Sequence, residues 1–241
     1  GATVSFALPG RAGLPEDDYT DTLAFATAGG DTGARVLLFG PAEDLPGTSR
    51  DFEGLGYRVV SPPYPESWDA YLAEPRLGDE ALEALLYELL GGEVRRAGER
   101  LAAFGIGWVA FTESSPLEDV FEAQLDMIPL RGLAVPVFRN EVPATEAYGP
   151  GGSAWRRDGT GYVRPAGAPA GPVYVASNAD YRWGPGEWNQ AGWASQVDTA
   201  GTEVRFAGHT GRRDLALASA AWLAVLVALP GGGWWGRRRA R

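Results

Sequence analysis

Cysteine is absent from all 241 residues, which excludes disulfides, thiolate metal sites and a cysteine nucleophile. Histidine occurs once, at His209, so a His-rich metal centre cannot form and a Ser-His-Asp triad would have to use that residue. Lysine is missing too, and all 21 basic residues are Arg. Against them stand 31 acidic residues, a net charge of −10. That balance repels phosphate backbones, so no nucleic-acid partner is expected. No loop has the Asp-x-Asp-x-Asp-Gly spacing of a calcium site. FGPAEDLPG, residues 39 to 47, has Pro41, Glu43 and Asp44 where a phosphate cradle needs backbone amides and positive charge. No metal and no cofactor is therefore expected.

Charge is absent from one long stretch. LALASAAWLAVLVALPGGGWWG, residues 215 to 236, has no ionisable side chain, and at about 1.5 Å per residue it matches the roughly 30 Å of bilayer hydrocarbon. Its apolar residues fall on all sides, as in a lipid-facing helix. Trp222 and the pair Trp234 and Trp235 are aromatic anchors, the pair standing where an interfacial belt is expected. The expectation is a transmembrane helix over 212 to 236. Pro230 and the three glycines after it leave open a shorter, buried core helix ending near Leu229. Arg237, Arg238, Arg239 and Arg241 outnumber Arg212 and Arg213, so the tail, 237 to 241, is expected in the cytoplasm and residues 1 to 213 outside. The opening GATVSFALPG has neither Met nor a signal pattern, and a fragment or processed product is expected.

Residues 1 to 148 read as an α/β domain. ARVLLFG (34 to 40) and GYRVVS (56 to 61) are strand candidates, as are GWVAF (107 to 111) and LAVPVFRNE (133 to 141). Helices are expected over 21 to 28, over 79 to 106 as two helices broken at Gly91 and Gly92, and over 116 to 128. Gly and Pro crowd residues 149 to 172, which read as a linker. Short alternating runs after it, such as Val204 and Phe206, predict a small β-sandwich over 173 to 211 leading into the membrane helix.

Carboxylates occur in runs, at Glu16, Asp17 and Asp18, at Glu43 and Asp44, and at Glu118 and Asp119. Such runs are solvated faces or helix N-terminal charges, the latter suiting Glu118 and Asp119 after Pro116. A facing pair would serve a glycosidase, so a carboxylate-dependent glycan hydrolase stays open as an alternative. No catalytic residue is assigned. The most suggestive cluster is NADYRWGPGEWNQAGW, residues 178 to 193. Aromatic faces stack on the C–H faces of sugars while amides and carboxylates take the hydroxyls. Tyr181, Trp183, Glu187, Trp188 and Asn189 are thus candidate glycan-binding residues, with Trp193 assigned to a core. The competing reading builds all these aromatics into the sandwich or the headgroup layer.

Four segments carry a resemblance: residues 10 to 47, RLAAFGIGWVAFTE at 100 to 113, LDMIPLRGLAVPVFRNEV at 125 to 142, and NQAGWASQVD at 189 to 198. They resemble the extracytoplasmic C-terminal region, next to the last span, of large actinobacterial membrane glycosyltransferases of family 2. The V-F-R-N strand, and the turn from Trp193 to Asp198, are similar to the periplasmic domains of YfhO-like multi-spanning glycosyltransferases. The resemblance implies a non-catalytic accessory region acting in envelope glycan assembly, its nucleotide-sugar site lying in parts not present here. Its implied partners are the remaining membrane portion of a larger parent and an envelope polysaccharide or lipid-linked sugar. A membrane-tethered interaction module without glycan contact is the alternative.

Overall fold

The computed structural model describes residues 23–27, 33–45, 49–62, 76–178 and 180–207. These form a six-stranded α/β unit followed by two four-stranded sheets. The expected transmembrane helix over 212 to 236 lies outside the described residues, as do Trp222, Trp234, Trp235, Arg237, Arg238, Arg239 and His209. Among the described residues, no helix is long and apolar enough to cross a membrane.

The α/β sheet has the order β2-β3-β1-β4-β6-β5, from β1 (Arg35–Gly40), β2 (Arg50–Phe52), β3 (Leu55–Val60), β4 (Ile106–Phe111), β5 (Met127–Leu130) and β6 (Val137–Asn140). Only β1 and β4 run parallel; every other neighbouring pair is antiparallel. After Arg35 the run VLLFG is apolar because β1 is covered on both faces. Leu37 and Phe39 join one core with Phe111, Phe121 and the helices, while Val36 and Leu38 join a second with Leu23, Val60 and Val137. Each fully buried Leu or Phe stabilises the fold by about 1.5–3 kcal/mol.

Helix α1 (Ala24–Thr27) covers the second core. Helix α2 (Leu77–Leu90) turns Leu82, Leu85, Leu86 and Leu89 onto the first, the spacing of one helical stripe. It stops where Gly92 takes a φ of 73°, which lets the Gly92 and Glu93 amides bond back to the Leu89 and Glu88 carbonyls. Helix α3 (Ala97–Ala102) follows, then α4 (Leu117–Glu122).

The helix expected over 116 to 128 is therefore cut in half. Its second part is drawn into tertiary bonds: Gln124 accepts from the Ala97 amide, and Asp126 accepts from the Gly98 and Glu99 amides at 2.9 and 3.0 Å. Capping α3 satisfies amides that have no partner inside that helix, and Met127 then starts β5 as a buried strand residue. Likewise 133 to 135 are bends and only Val137–Asn140 pairs as strand.

The front sheet has the order β12-β13-β10-β7, from β7 (Ala147–Tyr148), β10 (Gly171–Asn178), β12 (Glu187–Ala191) and β13 (Ala194–Thr199). The back sheet, β11-β14-β9-β8, takes β8 (Arg156–Asp158), β9 (Gly161–Val163), β11 (Trp183–Gly184) and β14 (Glu203–Phe206). One core joins them: Ala147, Val173, Val175 and Val197 from the front, Tyr162 and Val204 from the back, with Trp155 between strands. Residues 149 to 172, expected as a linker, hold β8, β9 and the start of β10. Short strands separated by Gly and Pro turns have the composition of a linker. The buried Trp155 and Tyr162 distinguish them.

Candidate functional site

Among the described residues, three contacts stand out of those that join the α/β unit to the paired sheets. The Asn178 side-chain oxygen accepts from the Gly78 amide at 2.7 Å, in the first turn of α2. Trp193 stacks on Phe104 with centroids 4.6 Å apart and planes 10° from parallel. The third contact is Glu146, whose side chain is 3 % exposed. It accepts from Arg35 Nε at 3.2 Å, from Arg157 Nη1 at 3.4 Å, from the Tyr162 hydroxyl at 3.0 Å and from the Ser61 hydroxyl. Arg35 and Ser61 belong to the α/β unit, Arg157 and Tyr162 to the back sheet. Arg35 also donates to the Phe104 and Ala176 carbonyls.

Burial alone would push the Glu146 carboxyl upward, but the two guanidiniums and two hydroxyls outweigh it and hold it below the usual carboxylate range. Burial and the adjacent Glu146 charge push Tyr162 upward. The phenol therefore stays protonated and donates. With only donors bonded to its carboxylate among the described residues, Glu146 is a clasp between the units.

The candidate glycan residues separate. Trp183 and Trp188 turn inward and pack against the common core, and their indole N–H groups donate to Ser177 Oγ at 3.1 Å and Ser195 Oγ at 3.3 Å. Trp183 also lies 5.1 Å from Phe206 and 5.8 Å from Tyr162, ring to ring. Tyr181 sits on a turn, 77 % exposed. Beside it Asp180 pairs with Arg182, which lies 4.7 Å from the Phe206 ring centre. Glu187 and Asn189 are exposed and, two residues apart on β12, share the face opposite Trp188. Trp193 packs at the junction between the units.

Strand register extends the face of Glu187 and Asn189 across the whole front sheet. Asn189 stands opposite Gln196, Gln196 opposite Tyr174, and Tyr174 opposite Tyr148. Those four side chains make a row across four strands, about 14 Å long at about 4.8 Å per strand. Two residues along, Glu187 stands opposite Asp198 and Asp198 opposite Pro172. All of these are exposed or half-buried, whereas the alternate residues Val173, Val175, Ser195 and Val197 are buried.

The two tyrosine rings stack with centroids 4.8 Å apart and planes 29° from parallel, a pairing worth about 0.5–1.5 kcal/mol. Burial raises the Tyr148 phenol, and burial with the neighbouring Tyr148 pushes Tyr174 up to about 12, so both are neutral hydrogen-bonding groups. Glu187 and Asp198 face each other with no basic side chain paired to either among the described residues. Like charges directly opposite each other cost stability. The contrast is the outward face of the back sheet, where Arg205 pairs with Glu203 and Asp158.

Tyr148, Tyr174, Gln196 and Asp198 escaped the reading of the sequence, which weighted the density of Trp between 178 and 193. The signal was present as period-two pairs, Pro172 with Tyr174, Glu187 with Asn189 and Gln196 with Asp198, each flanking an inward-facing residue. Among the described residues, no group of three or more His, Asp or Glu side chains is arranged to hold a metal ion. No protein-family model matches the chain, and no curated protein or solved structure matches it.

Proposed function

We propose that this chain is a non-catalytic, extracytoplasmic accessory region of a membrane glycosyltransferase that contacts saccharide during cell-envelope glycan assembly. The observation that carries the saccharide contact is the outward row of Asn189, Gln196, Tyr174 and Tyr148, beside Glu187 and Asp198. Amides donate to and accept from sugar hydroxyls, carboxylates accept from them, and neutral phenols supply both an apolar ring and a hydroxyl. The contact proposed for the 178 to 193 loop thus moves from Trp183 and Trp188 to the sheet face, keeping Glu187 and Asn189. Tyr181, exposed on its turn, is a secondary contact.

The charge-free stretch 215 to 236 supports attachment to a bilayer as one transmembrane helix, with Trp222, Trp234 and Trp235 as its aromatic anchors. Arg237, Arg238 and Arg239 orient it with the tail in the cytoplasm. In this reading the sheets stand outside the membrane, the catalytic groups belong to the membrane portion of a larger parent, and the saccharide is an envelope polysaccharide or lipid-linked sugar.

The test is retention of purified envelope polysaccharide by the chain in affinity electrophoresis, with product analysis after prolonged incubation. Retention that falls in Asn189→Ala and Gln196→Ala, with the polysaccharide intact, is expected. Absence of retention would defeat the saccharide reading, and release of shorter fragments would show that the chain is a hydrolase.

A further inference from the structure

We infer that the front sheet takes an uncharged oligosaccharide laid across its strands, successive sugar rings resting on Asn189, Gln196, Tyr174 and Tyr148. The inference rests on the saccharide-contact reading above and names the class and pose of the ligand. Register is its first support. The four residues lie directly opposite one another on neighbouring strands, so the row repeats once per strand spacing of about 4.8 Å. A pyranose unit in an extended chain advances by a comparable distance. A chain crossing the strands therefore meets one side chain per ring.

Charge selects the class. The row itself contains only amides and neutral phenols, and its open flank carries Glu187 and Asp198, unpaired with any base among the described residues. Those carboxylates accept hydrogen bonds from hydroxyls and repel a chain bearing uronate or phosphate. The opposite flank is closed by the α/β unit, where Asn178 bonds Gly78, Trp193 stacks on Phe104, and Tyr174 meets Trp193 edge-on at 6.5 Å. A chain lying along the row would have the α/β unit on one side and the two carboxylates on the other.

The experiment is calorimetric titration of the full chain with neutral cello-, manno- and galacto-oligosaccharides of one to six units, and with oligogalacturonates of the same lengths. At least one neutral series should tighten several-fold with each ring up to four and then level off. Oligogalacturonates should bind far more weakly. Asn189→Ala and Gln196→Ala should each weaken the tetrasaccharide about fivefold, the loss of one hydrogen bond of about 1 kcal/mol. Tyr174→Ala should abolish the length dependence. Because Tyr174 is half-buried, the exposed Asn189 variant, with an unchanged melting temperature, carries the result if Tyr174→Ala unfolds. Binding that ignores length, survives Asn189→Ala and Gln196→Ala, or is matched by oligogalacturonates would overturn the row and leave the saccharide reading standing. Binding by oligogalacturonates alone would overturn the row only, and no binding by any neutral or acidic series would overturn both.

Discussion

Replacing Glu146 with Gln tests how the two units are held together. The carboxylate is buried between Arg35, Arg157, Ser61 and Tyr162, and Gln keeps the shape while deleting the charge. One of its terminal groups becomes an N–H donor facing other donors. Breaking a buried ion pair from one side costs about 3–5 kcal/mol, because the partner charge is left uncompensated. Arg35 is 17 % exposed and Arg157 37 %, so water recovers part of that and the lower end, about 3 kcal/mol, is expected. At about 2–4 °C per kcal/mol for a chain of this size, the melting temperature should fall by about 6–12 °C.

The pH dependence gives an independent check. The folded carboxyl titrates below its ordinary value of 4.5, so at pH values between the two the unfolded chain binds the proton and the folded chain does not. The contribution is complete above the unfolded value and is lost as pH falls through the folded one. Thermal melts followed by circular dichroism from pH 7 to pH 3 should show wild type losing more stability than Glu146→Gln below about pH 4.5. Equal melting temperatures at pH 7, or parallel acid profiles, would refute the account of Glu146 as the clasp.

Other expectations follow from the same packing. Gly98→Ala should destabilise strongly, since an added Cβ would lie 2.2 Å from the buried Asn140 Oδ1, and a urea midpoint shift measures it. Leu85→Ala empties part of the first core and should cost about 2–5 kcal/mol in the same assay. Trp183→Ala and Trp188→Ala should lower the melting temperature while leaving saccharide affinity per folded molecule unchanged, since both indoles face the core. An affinity loss without a stability loss would return the site to the loop.

Legibility in the sequence tracked how local the determining forces are. RVLLFG and GWVAF declared themselves as buried strands, and the Leu stripe of α2 with its glycine stop was readable because caps and periodicity act over a few residues. The end of α4 was not, since Gln124 and Asp126 are recruited by the amides of α3 more than twenty residues away. Residues 149 to 172 read as a linker because turn chemistry between strands of three residues outweighs their alternation. Clustered tryptophans drew attention to Trp183 and Trp188, whose hydrogen bonds to Ser177 and Ser195 depend on strand pairings no local pattern reveals. The row from Asn189 to Tyr148 draws on four strands lying between Ala147 and Thr199, and only the register assembles it.

Mapping of amide and side-chain NMR shifts on an isotope-labelled chain, titrated with purified envelope polysaccharide, tests the saccharide contact most directly. Shifts should concentrate on Tyr148, Tyr174, Asn189, Gln196 and Asp198 and spare the outward face of the back sheet at Glu203 and Arg205. A spectrum unchanged by the polysaccharide, or shifts centred on Glu203 and Arg205, would contradict the account.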